Sequence, residues 1–213
     1  MTAEQIAALF TGPDGTYHFA RWRRPLAPVV FGVQDATLAL VKGALATVAA
    51  LAGQPLTEVD TELGANLMIF FVRDWRELAE VPDLDHLVPG LSARAVVLTG
   101  QDADHYRQFR YEEDGAIRAA FVFLRLSDRL AGLPAEDLAL DLALRAILPF
   151  QALALRDRPW LVRGADGPAI APWAADLIRV AYDPVLPVIA ADKSHALRLA
   201  ARDAAQHVHR HAL

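Results

Sequence analysis

The chain has 213 residues, no cysteine, a formal charge of −5 and a hydrophobic fraction of 54%. That length suits one domain with a sizeable core, and the lack of cysteine removes thiol catalysis, thiolate metal sites and disulfides. The acidic balance argues against a nucleic-acid partner, and the Ala- and Leu-rich composition favours helix.

The first ten residues predict a short helix, stopped by Gly12-Pro13-Asp14-Gly15. They lack the basic start and long apolar core of a signal peptide, which reads as cytoplasmic. From Tyr17 to Pro25, aromatics stand among arginines. Such a mixture can stack on bases, but the acidic charge favours a strand with Trp22 in the core and the arginines in water. Pro25 to Gly32 reads as a strand, and Pro25 and Pro28 make it an edge strand or confine its pairing to the second half. Asp35 to Leu51 reads as a helix with Asp35 as N-cap, Gly53 beyond its end, and Leu38, Val41, Leu45, Val48 and Leu51 as its core stripe. Its apolar run is interrupted by Lys42 and falls short of the ~20 residues that span a membrane.

Leu56 to Asp60 and Ala65 to Val72 then read as strands. The second is apolar on both faces from Leu67 onward, which predicts a central strand. Arg73 to Gly90 predicts one or two short helices, and Ala93 to Thr99 a further strand. Tyr106 to Tyr111 and Ala116 to Leu126 form a predicted hairpin around Glu113-Asp114-Gly115. Pro134 to Arg158 reads as one long buried helix, with Glu136 and Asp137 in its first turn and Arg156 and Arg158 at its end. Arg163 to Pro168 is a predicted loop, Ala171 to Tyr182 a helix opened by Pro172, and Ala191 to Ala212 a final helix. Helices mixed with strands give an α/β (α+β) class in a single domain with its core over about residues 17–203.

Chemistry-bearing residues are few. Asp83, Asp85 and His86, with Asp102, Asp104 and His105, offer carboxylates and imidazoles for a divalent ion, if the fold joins the two segments. Otherwise they are solvated loops with capping aspartates. His207, His209 and His211 diverge on a helix and chelate only from an extended tail. Ser194 precedes His195, but helical neighbours do not face each other. Neither a nucleophile elbow nor a phosphate loop occurs, and Glu112, Glu113 and Asp114 read as a hairpin tip.

Strand, long helix, strand, a closing hairpin and then a buried helix resembles the N-terminal part of metzincin-type zinc peptidases. There the buried helix carries His-Glu-x-x-His-x-x-Gly-x-x-His: two His one helical turn apart reach one zinc, and the Glu polarises its water. On this chain the frame puts Ile147 and Leu148 at the first His and Glu, Gln151 at the second His, Ala154 at the Gly and Asp157 at the third His. Isoleucine and leucine bind no metal. The chain further resembles an uncharacterised bacterial family in Arg21, Trp22 and Pro25, in Asn66, in Gln151-Ala152-Leu153 and in the tail from Ala181 to Pro184. The resemblance implies a zincin-like fold, a mixed twisted sheet packed on a long helix and a buried helix, with C-terminal helices. It implies a non-catalytic protein without a cofactor that binds a peptide or protein at the sheet edge from Tyr106 to Leu126. Gln151, Asp157 and Tyr182 would line the cleft. A hydrolase built on the Asp/His set above, or an oligomer-forming structural protein, are the alternatives.

Overall fold

The computed structural model describes the backbone of residues 1–151, 153–155, 158–165 and 167–211, and the side chains of these except 153 and 208–211. The chain runs through helix α1 (Ala3–Phe10), strands β1 (Phe19–Ala20) and β2 (Pro28–Phe31), helix α2 (Asp35–Ala52) and strand β3 (Leu67–Val72). Helices α3 (Leu84–Leu87) and α4 (Leu91–Gly100) lead to the hairpin of β4 (His105–Tyr111) and β5 (Ile117–Arg125). Helices α5 (Asp128–Ala131) and α6 (Ala135–Ile147) follow, then strands β6 (Leu161–Gly164) and β7 (Gly167–Ile170). Helix α7 (Pro172–Ala181), strand β8 (Ile189–Ala190) and helix α8 (Ser194–His211) complete the fold.

The central sheet has the order β2-β3-β5-β4. β2, β3 and β5 are parallel, and β4 returns antiparallel along the outer edge of β5. Alternation along the inner strands divides two cores. Leu67, Ile69 and Phe71 of β3, with Ala120, Val122 and Leu124 of β5, face a large core shared with α2 and α6. Phe70 and Val72, with Ala119, Phe121 and Phe123, face a smaller core with Trp75, Leu84, Leu91, Ala95 and Leu98. A strand buried on both faces needs the unbroken apolar run seen at residues 67–72, and β2 lies at a sheet edge, as its prolines predict. The molecule is therefore mixed α/β of the α+β kind.

α2 ends at Gly53, whose left-handed backbone (φ 62°) turns its N–H back to the carbonyls of Ala49 and Ala50. The position before the helix is Gln34, so Asp35 lies inside the first turn and is not the cap. By length and composition α2 is the one helix among the described residues that could cross a membrane. Its inner face, with Val41, Leu45 and Val48, is spent on the core.

Four expectations are corrected. Residues 93–99 are helical, because Leu91, Ala95 and Leu98 reach the core at helical spacing while Val96 and Val97 face outward. Leu56 to Asp60 contributes isolated bridges from Leu56 to Leu26 and from Asp60 to Gly64, and the Asp60 carboxylate accepts the N–H groups of Glu62 and Leu63 and folds a turn. In the predicted loop Arg163 pairs with Pro168 and Gly164 with Gly167 as part of the β6–β7 hairpin. Arg21 is buried, not in water, and donates to Leu186 O at 3.0 Å.

The largest correction concerns the buried helix. α6 stops at Ile147, not Arg158. Leu148 takes extended angles (φ −144°, ψ 152°), as a residue before proline prefers. Pro149 has no N–H for Arg145 O, and the N–H groups of Phe150 and Gln151 turn to Leu148 O and Leu9 O. The carbonyls so abandoned are collected by distant side chains. Arg107 Nη1 donates to Arg145 O (2.8 Å) and Leu148 O (3.3 Å). Trp22 Nε1 donates to Ala146 O (3.0 Å), and the Tyr182 hydroxyl to Ile147 O (2.8 Å). Buried helix ends need such partners, and Arg107 also brings positive charge to the negative end of the helix.

Candidate functional site

The cleft beside the free edge of the sheet follows from that broken helix. As the terminal strand of the order, β4 pairs on one side only among the described residues. Its odd-numbered residues His105, Arg107, Phe109 and Tyr111 line a groove of about 340 Å³. Arg145, Pro149, Phe150 and Gln151 form the facing side, and His18 also lines it. Pro149 creates this wall: without a stop at Ile147, residues 149–151 would be another helical turn.

The groove has a polar base. Arg145 grips Asp141 through Nε (2.6 Å) and Nη2 (3.1 Å), and Trp160 Nε1 donates to the same carboxylate at 2.9 Å. His105 Nε2 stands 3.1 Å from Asp141 without the alignment of a hydrogen bond. Burial alone would raise the Asp141 carboxyl, but His105 and Arg145 outweigh it and hold the group well below the ordinary carboxylate range. Burial, with Arg145 close by, pushes the Arg107 guanidinium below its usual value. Its planar group also stands 5.5 Å from the Phe109 ring centroid. His18 packs edge-on against Tyr111 at 4.8 Å, and burial lowers its pKa.

Of the residues expected to line the cleft, Gln151 does so. Tyr182 does not: it is 9% exposed, and its hydroxyl is consumed between Ile147 O and the N–H of Trp22 (3.3 Å). Asp157 lies outside the described residues, as do the side chains of His209 and His211. Arg107, the side chain that ties the edge strand to the end of α6, was missed. Its alternation with His105 and Phe109 in a strand ahead of a proline-broken helix was the only hint.

The six alternative metal ligands are engaged separately. Asp83 opens α3 with left-handed angles, Asp85 accepts the N–H of Ser92 at 2.9 Å, and His86 is exposed. Asp102 and Asp104 both accept from Arg125, Asp104 also binds Arg129, and His105 turns to Asp141. Among the described residues, the ligand atoms that do come together, all within 4.8 Å, are those of Asp176, Asp203 and His207. His207 Nε2 is 3.1 Å from Asp176 and 3.4 Å from Asp203. Arg179 neutralises Asp176 at 2.9 Å, and the Met1 ammonium neutralises Asp203 at 3.2 Å. The cluster thus acts as an ionic clasp between α7, α8 and the start of α1.

A surface depression of about 760 Å³ at the β4–β5 hairpin tip is a charge network. Arg24 at its centre binds Asp60 (3.0 Å), Glu62 (3.2 Å) and Glu112 (2.5 Å). Glu62 and Glu112 are paired with Arg24 and Asp114 with Arg23, which fits a structural role for the tip. No family model, curated protein or solved structure matches the chain.

Proposed function

We propose that this protein is a non-catalytic relative of the zinc peptidases that binds an extended peptide along β4. The observation that carries the reading is the open edge of β4 above a groove walled by Pro149, Phe150 and Gln151. A strand added there would be held by main-chain hydrogen bonds, with alternate side chains entering the groove. The zincin-like fold is supported by the order β2, α2, β3, the β4–β5 hairpin and α6, which is the layout of the metzincin N-terminal part. Loss of peptidase chemistry is supported by Ile147 and Leu148, which are 1% and 0% exposed where a zinc site needs imidazole and carboxylate.

Calorimetry with a blocked strand-forming peptide tests the reading, its length matched to the seven residues of β4. Binding is expected, and it should vanish when every second amide on the bonding edge is N-methylated. Equal binding by the methylated peptide would show that the main chain of β4 is not the contact.

A further inference from the structure

We infer that the peptide taken by the β4 groove carries an acidic side chain, whose carboxylate is received by the open fork of Arg107. This rests on the strand-addition reading and names the chemistry of its ligand. Arg107 Nη1 alone makes both bonds to the end of α6, at 2.8 Å to Arg145 O and 3.3 Å to Leu148 O. Its Nε and Nη2 donors have no partner among the described residues, and Arg107 lines the groove. A guanidinium pinned through one nitrogen is already oriented, so its remaining two donors meet a carboxylate with little further loss of freedom.

The surroundings favour an anion. Among the described residues, Arg107, Arg145, His18 and His105 line the groove, and no aspartate or glutamate does. The nearby carboxylate, Asp141, is held by Arg145 and Trp160, with His105 at 3.1 Å, and acts on Arg107 through space without a hydrogen bond to it. Phe109, whose ring lies 5.5 Å from the guanidinium, and Pro149 and Phe150 add apolar surface to the same groove. Charge-assisted bonds strengthen in such a setting. An acidic residue in a paired strand would place its side chain on the same face as Arg107, since strand side chains alternate.

The test uses the full chain and calorimetry. Heptapeptides of alternating Thr and Val, acetylated and amidated, carry a single Glu moved through the alternate positions, or Gln or Lys in its place. The best Glu peptide should bind about tenfold or more tighter than its Gln twin, and the Lys peptide weakest. Arg107→Gln should bring the Glu and Gln peptides to equal affinity. Because Arg107 also caps α6, the Glu-to-Gln exchange on the unmodified protein decides the matter even if that variant unfolds. Equal affinity of the Glu and Gln peptides would overturn the acidic inference and leave strand addition standing. A Gln peptide with a free C-terminus that outbinds the amidated Glu peptide would overturn it in favour of a terminal carboxylate. Absence of binding by every peptide would overturn both.

Discussion

Tyr182→Phe isolates the capping of α6, because it removes one oxygen and leaves the ring in place. That oxygen serves two buried backbone groups. It donates to Ile147 O at 2.8 Å and accepts from Trp22 N–H at 3.3 Å. Ile147 O has no replacement within the helix, since the Gln151 N–H is committed to Leu9 O at 2.7 Å. An abandoned buried polar group costs about 1–3 kcal/mol, and the longer second bond falls at the low end. The variant should therefore lose about 2–4 kcal/mol in urea unfolding with an unchanged slope. Tyr111→Phe is the control. Tyr111 is 37% exposed and its hydroxyl makes no hydrogen bond to a described residue, so its loss should stay within about 0.5 kcal/mol. If Tyr182→Phe matches the control, distant side chains do not hold the end of α6, and the explanation of the broken helix fails.

His195 is 2% exposed, with neither ring nitrogen hydrogen-bonded, and burial together with Arg198 and Arg21 lowers its pKa to about 4. The unfolded chain then binds the extra proton first, so stability should fall as pH drops from about 6.5 to about 4, by on the order of 2–3 kcal/mol. His195→Phe should flatten that slope; an unchanged slope in pH-dependent urea melts would rule the group out. Asn66, fully buried, bonds Ala27 N–H, Pro25 O and Asp60 at 2.8 Å each. Asn66→Ala should cost about 3 kcal/mol in urea melts, and a loss below about 1 kcal/mol would mean that solvent replaces the bonds. Gly32 combines φ +81° with a β-carbon position only 2.2 Å from Phe71 O. Gly32→Ala should lower stability by at least about 2 kcal/mol by thermal melting, and a neutral result would show that β2 shifts freely.

Much of the fold was legible. Apolar runs marked β3 as central, prolines put β2 at an edge, Asp114-Gly115 marked the β4–β5 hairpin, and Pro172 and Gly53 marked a helix start and a helix end. The errors came where local pattern and tertiary partner diverge. Residues 93–99 carry β-branched Val96 and Val97, which suit a strand, but both point outward from a helix. Residues 134–158 have helical composition throughout, yet Pro149 removes one bond and Trp22, Arg107 and Tyr182 make stopping there inexpensive. No local signal predicts partners so far away in the chain. For the same reason the pattern points to neither the Arg107 bonds to the end of α6 nor the buried Tyr182 hydroxyl between Ile147 O and Trp22 N–H.

Amide hydrogen exchange across β4 tests the central claim most directly. With a saturating strand-forming peptide, the outward-facing amides of His105–Tyr111 should exchange more slowly, while those of β2 at the opposite edge stay unchanged. Protection at β2 alone, or none at either edge, would contradict the account.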